Sequence, residues 1–186
     1  MAYFSDQKFI NLTQIEFEIG EYHSCCFENC NFSNFNFHGS SFENCVFKSC
    51  DWSNAKVFKV AFQQVKFENC KMLGVHFNTA NPFLLEFNFQ NSQLDYSNFF
   101  NLQLKKSVFQ NCKLTEVDFS QCNLTEVNFQ GSDLSGTVFD QTVLEKVDFR
   151  NTQNLRLDPE INKIKGARFD LYGLPGLLEK YGIIID

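Results

Sequence analysis

The chain has 186 residues, a formal net charge of −6 and 44% hydrophobic residues, which is enough for one domain with a buried core and excludes a disordered protein. No apolar run reaches membrane-spanning length, and Met1 to Ile10 lacks a basic stretch followed by an apolar one. We therefore expect a cytoplasmic protein that neither spans a membrane nor carries a secretion signal. An acidic chain without Lys/Arg blocks also argues against direct binding of nucleic acid.

A large apolar residue recurs at every fifth position along most of the chain. One block runs from Leu12 to Phe77 and a second from Leu84 to Phe149, together 28 units of five residues. Neither an α-helix nor a flat strand keeps a period of five on one face. The chain must turn a corner once per unit, so each unit is predicted to form one side of a coil.

The position two residues before each large apolar residue holds mostly small or β-branched side chains, which predicts a second inward slot. This slot begins with Ile10, Ile15 and Gly20. It then takes seven of the eight cysteines, namely Cys25, Cys30, Cys45, Cys50, Cys70, Cys112 and Cys122. Because free cysteine behaves as a small buried hydrophobe, packing explains these residues without disulfide chemistry.

The sequence contains no motif that predicts a metal site or a catalytic site. His23, Cys25, Cys26 and Cys30 are close in sequence, but the repeat directs them to different sides, and no Cys-x-x-Cys pair is present. No nucleophile has a base nearby in the sequence. We expect no metal site, no cofactor and no enzymatic activity.

Two segments depart from the repeat. Phe77 and Leu84 are seven positions apart, which predicts a register break at 78–83. Near the C-terminus, apolar residues at helical spacing accompany Pro175 and precede Gly182, which predicts a short capped helix. We therefore expect a β-helix over residues 1–154, followed by a terminal coil, capping helix and dimerisation tail over 155–186.

The C-terminal segment carries more apolar residues than a small cap needs, which favours a homodimer over a simple cap. The predicted dimer interface comprises Phe169, Leu174, Leu177, Leu178, Tyr181, Ile183, Ile184 and Ile185.

Units such as Cys45-Val46-Phe47-Lys48-Ser49 and Ser132-Asp133-Leu134-Ser135-Gly136 resemble those of the pentapeptide-repeat family. The resemblance implies an all-β fold, a right-handed quadrilateral β-helix with four units per coil. The units of the two blocks would then form about seven coils, a rod of roughly 34 Å at the usual strand spacing. Leu and Phe alternate strictly from Leu84 to Phe149, which places Phe on two opposite sides and Leu on the other two.

Negative charge concentrates in the second block. Residues 110–150 hold three basic residues and seven acidic ones, which are Glu116, Asp118, Glu126, Asp133, Asp140, Glu145 and Asp148. An acidic rod of constant width could present charge as DNA does to a basic groove, so these seven residues are the predicted partner-binding set. The alternative is that they are ordinary solubilising surface charges.

The whole arrangement resembles the Qnr and MfpA branch of the family, fluoroquinolone-resistance proteins that bind DNA gyrase and topoisomerase IV. The residues that carry this resemblance are Met72-Leu73-Gly74-Val75-His76-Phe77, Pro82, Gly166-Ala167-Arg168-Phe169-Asp170 and the segment from Leu177 to Ile183. The branch implies a homodimer built by the C-terminal helix and tail, and an acidic rod that mimics duplex DNA. The lack of a large inserted loop favours the loop-poor, MfpA-like form. The alternative function is an interaction scaffold with an unrelated protein partner.

Overall fold

The computed structural model describes residues 1–184, and short parallel strands together with isolated parallel bridges form the coils from residue 2 to residue 168. The strands and the helix are β1 Ala2–Ser5, β2 Lys8–Ile10, β3 Gly20–His23, β4 Cys26–Glu28, β5 Ser41–Glu43, β6 Val46–Lys48, β7 Ala61–Gln63, β8 Val65–Glu68, β9 Phe87–Gln90, β10 Val108–Gln110 and α1 Pro175–Leu178. Short 3-10 turns occupy Phe77–Thr79 and Glu179–Tyr181. One sheet has the order β1-β3-β5-β7 and the other β10-β9-β8-β6-β4-β2.

The register of the strands shows how the chain coils. Val46 pairs in parallel with Lys66, four units of five residues further on, so one coil contains four units. The fold is the predicted right-handed quadrilateral β-helix with a short C-terminal helix. Strands β1 and β2 were not predicted from the repeat. Because Ala2 pairs with Gly20, they add a slightly shorter coil before the regular units begin.

One stack of phenylalanine rings runs the length of the rod. Its members are Phe9, Phe27, Phe47, Phe67, Phe89, Phe109, Phe129, Phe149 and Phe169, and consecutive rings are stacked with centroids 4.7 to 5.4 Å apart. Nine rings at the strand spacing span roughly 40 Å, longer than the sequence predicts because Phe9 and Phe169 lie outside the regular blocks. Phe99, Phe119 and Phe139 form the opposite stack, as the strict alternation of Leu and Phe predicts.

Side chains in the second inward slot are small enough to fit there, and several also donate hydrogen bonds to the preceding coil. The thiol of Cys112 donates to the carbonyl oxygen of Phe89 one coil earlier, at 3.5 Å, and the hydroxyl of Ser132 donates to Phe109 O at 2.7 Å. The seven cysteines predicted to point inward are buried, and all eight are free. Burial raises the pKa of the Cys112 thiol to about 12, so this thiol stays protonated at neutral pH.

The corners of the coil explain why the sequence is rich in Asn. The residue two positions after each central apolar residue has a left-handed backbone in most units, and Asn29, Asn44 and Asn69 are examples with φ of 55°, 53° and 55°. Asn tolerates this conformation better than most residues because its short polar side chain bonds locally.

Some residues predicted to point inward are exposed. Leu84 is 61% exposed with φ of 56°, because the two extra residues of the break shift it onto a corner. The next residue, Leu85, is buried instead. Phe87 lies two positions before Phe89, in the second inward slot, and pairs with Val65, with its ring 5.2 Å from that of Phe77. Ile10 is 50% exposed because its neighbour Phe9 is the residue that stacks inward, and Ile15 is 96% exposed in a turn.

Candidate protein-interaction surfaces

Three of the seven acidic residues of the predicted partner-binding set lie together. Asp118 precedes Phe119 and Asp140 follows Phe139, so both lie on the side of the rod that carries the Phe99 stack. Glu116 lies at the corner where the chain enters this side, with φ of 54°. We call Glu116, Asp118 and Asp140 the acidic face.

The carboxylates of the acidic face keep their charge uncompensated. Asp118 accepts hydrogen bonds from the Ser120 backbone N–H at 2.8 Å and from Asn98 Nδ2 at 3.3 Å, both neutral donors. Within residues 1–184 none of the three carboxylates forms an ion pair. This part of the surface therefore presents three carboxylates without a contacting cation to a partner.

Other members of the set are neutralised by neighbours. Glu126 forms an ion pair with Lys146 at 3.1 Å, and Asp148 forms one with Arg150 at 2.6 Å. The hydrogen bond and charge of Lys146 lower the pKa of Glu126, and those of Arg150 lower the pKa of Asp148. Each carboxylate already has a cation beside it, so it offers less to a basic partner than the acidic face does.

Asp133 and Glu145 lie on other sides of the rod. Asp133 precedes Leu134 and accepts hydrogen bonds from Ser135 and from Asn154 Nδ2, the latter at 2.8 Å. Burial opposes its ionisation, but these hydrogen bonds outweigh burial and leave its pKa below the ordinary value. Glu145 follows Leu144. The seven residues therefore do not form one surface, and the alternation of Leu and Phe along the chain already separates them by side.

The C-terminal segment presents an apolar surface beyond the last coil. Pro175 is the first residue of α1, and Gly182 ends the following turn with φ of 61°, as predicted. The predicted interface residues Leu174, Leu178, Tyr181, Ile183 and Ile184 are exposed, whereas Leu177 and Phe169 are half-buried. Ile185 lies outside the described residues.

Phe169 has a different position from the rest of the predicted interface. Its ring stacks on Phe149 at 5.4 Å and ends the long phenylalanine stack, so it belongs to the core of the rod. Leu171 and Tyr172 were not predicted but are 82% and 94% exposed. They lie between the last coil and α1 and enlarge the apolar surface.

A groove of about 440 Å³ separates the C-terminal segment from the last coil, with Leu155, Tyr172, Leu178 and Ile183 among the residues that line it. The segment is attached beside this groove at Gly176, whose carbonyl oxygen accepts a hydrogen bond from the Leu157 N–H at 3.2 Å.

Lys180 anchors the end of the C-terminal segment on the coil, with ion pairs of 2.6 Å to Asp158 and 2.7 Å to Glu160. These contacts leave most of the apolar residues of the segment facing outward.

Two further observations concern the part of the chain that the structure describes. None of its helices has the length and apolar character needed to cross a membrane. It contains no group of three or more His, Cys, Asp or Glu side chains arranged to hold a metal ion.

Comparison with known protein families identifies the five-residue repeat. A family model described as Pentapeptide repeat region matches residues 20–99 and 102–171. No curated protein matches the chain significantly.

Several solved structures resemble the chain. Two are trypsin-treated variants of QnrB1, a plasmid-mediated fluoroquinolone resistance protein. One is 23% identical, with complete coverage of both chains and a TM-score of 0.46. The other is 24% identical, with 99% of this chain and 97% of that chain covered and a TM-score of 0.48. A third is HetL, a pentapeptide repeat protein from the cyanobacterium Nostoc that is involved in heterocyst differentiation regulation. It is 13% identical, with 89% and 81% coverage and a TM-score of 0.43.

Proposed function

The chain belongs to the pentapeptide-repeat family, and on this premise we propose that it is a cytoplasmic, homodimeric binding protein of type II topoisomerases, DNA gyrase or topoisomerase IV. In this proposal the rod occupies the basic groove that holds duplex DNA, and its carboxylates take the place of phosphates. Reduced access of DNA or of a fluoroquinolone to the enzyme would follow. The observation that supports this most strongly is the acidic face, which carries three carboxylates without ion-pair partners on one side of the described rod.

The charges of the acidic face suit a basic partner for electrostatic reasons. Unpaired carboxylates attract Lys and Arg over a distance set by the ionic strength, about 8 Å at physiological salt. Carboxylates that are already paired must first lose a cation before they can bind a new one. The acidic face should therefore supply most of the attraction, and binding should weaken as salt is raised.

The dimer rests on the apolar C-terminal surface. Leu178, Tyr181 and Ile183 are exposed on one short segment, and Leu171 and Tyr172 extend the apolar area towards the last coil. A symmetric pairing of two such surfaces would cover these side chains and place two rods end to end. A longer acidic rod would then be presented to an enzyme that is itself built to hold a DNA duplex.

The charge mechanism is tested with two matched triple variants in a gyrase supercoiling assay. The first variant combines Glu116→Gln, Asp118→Asn and Asp140→Asn, and the control combines Glu126→Gln, Glu145→Gln and Asp148→Asn. Both remove three negative charges, so any effect of total charge is the same in each. We expect the first variant to need about tenfold more protein for half-maximal inhibition, and the control to change this concentration by less than about threefold.

Equal effects of the two triple variants would contradict the role of the acidic face while leaving topoisomerase binding intact. If the unmodified protein at micromolar concentration neither inhibits supercoiling nor protects gyrase from a fluoroquinolone, the topoisomerase proposal itself is wrong. A scaffold with an unrelated partner would then be the better account.

The dimer is tested by sedimentation of the protein and of the double variant Leu178→Asp, Ile183→Asp. A protomer has a mass of 21.6 kDa, so the dimer should sediment at about twice that value and the variant at the protomer mass. Both side chains are exposed, so the substitutions should leave the rod folded. A protomer mass for the unmodified protein at micromolar concentration would refute the dimer.

A further inference from the structure

A second, unrelated feature lies on the side of the rod that carries the Phe99 stack, but in earlier coils than the acidic face. It is a groove of about 430 Å³ whose walls include Ala55, Lys56, Phe58, Gly74, His76 and Thr79. This volume falls within the range of small-molecule sites. Ala55 is buried at the base of the groove, whereas Phe58 is 52% exposed.

Glycine stands at one corner beside the groove. The residues at this corner in the two preceding coils are Asn34 and Asn54, with φ of 60° and 57°, and the next is Gly74 with φ of 66°. A Cβ at Gly74 would lie 2.9 Å from Asn54 Oδ1, so a side chain at this corner would have to displace the side chain of Asn54. The backbone needs no glycine here, since Asn adopts the same conformation in the two preceding coils.

The ring of Phe58 has a fixed neighbour on the side of the preceding coil, and Lys59 Nζ lies over the ring. His38, one coil earlier, stacks on it with centroids 5.6 Å apart and an interplanar angle of 25°, and His38 Nδ1 lies 3.1 Å from Phe58 O. His76 and Thr79 belong to the following coil, so the groove lies on the opposite side of Phe58 from His38. The ring therefore offers a fixed aromatic surface to the groove.

The charge around the groove is positive. Lys56 is one of its walls, and Lys59 Nζ lies 5.2 Å from the centroid of the Phe58 ring. Within residues 1–184 neither lysine has an ion-pair partner, and no wall residue is acidic. A ligand with an aromatic ring and a negative charge would satisfy both the ring and the lysines.

We propose that this groove is a binding site for a small planar aromatic anion. The aromatic ring of the ligand stacks on Phe58, its anionic group lies beside Lys56 or Lys59, and its edge lies against Gly74. The site does not depend on the proposed function, because none of its walls belongs to the acidic face or to the C-terminal segment.

The test is a titration of ¹⁵N-labelled protein with 2-naphthoate, followed by NMR. A ligand of this size in an open groove should bind with a dissociation constant on the order of a millimolar. We expect saturable shifts centred on the amides of Phe58, Gly74 and His76. Naphthalene-2-methanol lacks the charge and cyclohexanecarboxylate lacks the aromatic ring, so each should bind at least about threefold more weakly.

Three variants locate the site. Phe58→Ser should weaken binding about fivefold through loss of stacking, and Gly74→Asn should abolish it by filling the groove without a change of charge. Phe100→Ser is the control, because Phe100 also follows a central residue of this side and is 40% exposed, but it is not a wall of the groove. Melting temperatures close to that of the unmodified protein would show that the variants are folded.

Shifts that do not saturate, or that centre on other residues, would overturn the proposal. An equal loss of binding in the Phe58 and Phe100 variants would also overturn it, as would undiminished binding to the Gly74→Asn protein.

Discussion

The attachment of the C-terminal helix depends on one glycine, and replacing it gives a sharp prediction. A Cβ at Gly176 would lie 2.8 Å from the carbonyl carbon of Leu155, and closer still to its oxygen. Carbon atoms in contact are ordinarily about 3.5–4.0 Å apart and the oxygen is closer than the carbon, so Gly176→Ala must move α1 away from the coil by more than about 1 Å. Both clashing groups are backbone, so no side-chain rotation can relieve the contact.

The loss of stability in the Gly176→Ala protein can be estimated from the contacts that this movement breaks. The bond from Leu157 N–H to Gly176 O is lost, which costs about 1 kcal/mol, and the half-buried Leu177 loses part of its apolar contact, for a total of about 2–3 kcal/mol. In an isolated helix the same substitution would stabilise by about 1 kcal/mol, because Ala is the better helix former. The predicted sign is therefore opposite to that given by helix propensity.

Hydrogen exchange at the Leu157 amide measures this effect. A loss of 2–3 kcal/mol in local stability should accelerate exchange of this amide about a hundredfold, whereas the Phe109 amide in the middle of the rod should be unaffected. Gly173→Ala is the matched control, because the nearest heavy atom to its Cβ would be 3.6 Å away, an ordinary contact. Unchanged protection of Leu157 in the Gly176→Ala protein would refute the argument.

Three further predictions concern the rod. Phe109→Ala should lower the free energy of unfolding by about 3–5 kcal/mol in urea titrations, because the ring is fully buried between two stacked neighbours. At pH 8 the half-buried Cys26 should react with Ellman's reagent before Cys112, whose thiol has a pKa raised by burial to about 12, and early reaction of Cys112 would contradict this burial. Arg150→Gln should raise the pKa of Asp148 towards its ordinary value in an NMR titration. The lowered pKa stabilises the fold fully above the unfolded pKa of the carboxyl, and this contribution is lost as the pH falls through the folded pKa, so the stability lost in this variant at pH 7 should vanish as the solution becomes strongly acidic.

The period of five was sufficient to predict most of the core. Each unit needs one large and one small inward side chain, and these needs are visible in most units of the sequence, as at Phe109 and Cys112. The helical spacing of apolar residues also located the C-terminal segment, since Pro175 begins its helix and Gly182 ends the turn that follows. Phe109 is twenty residues from Phe89 and from Phe129, so a coil of four five-residue units stacks its ring on both of theirs.

The prediction was wrong where the period changes. At the break, Leu84 has the right spacing from the next unit, but the two inserted residues turn it outward, and its neighbour Leu85 is buried instead. The sequence contains no local signal for this exchange, because both residues are large and apolar. The strands of the first coil were missed for a similar reason: β1 and β2 are recognisable only by their pairing with β3 and β4.

The sequence by itself therefore determined the coil, its two inward slots and the total charge, because these depend on spacing and composition. Only the tertiary structure decided which charges remain free. Lys146 neutralises Glu126 across a full coil, while Asp118 has only neutral donors around it, although both carboxylates look alike in the sequence. Residues one coil apart become neighbours through the winding of the chain, so the distribution of free charge is a property of the folded rod.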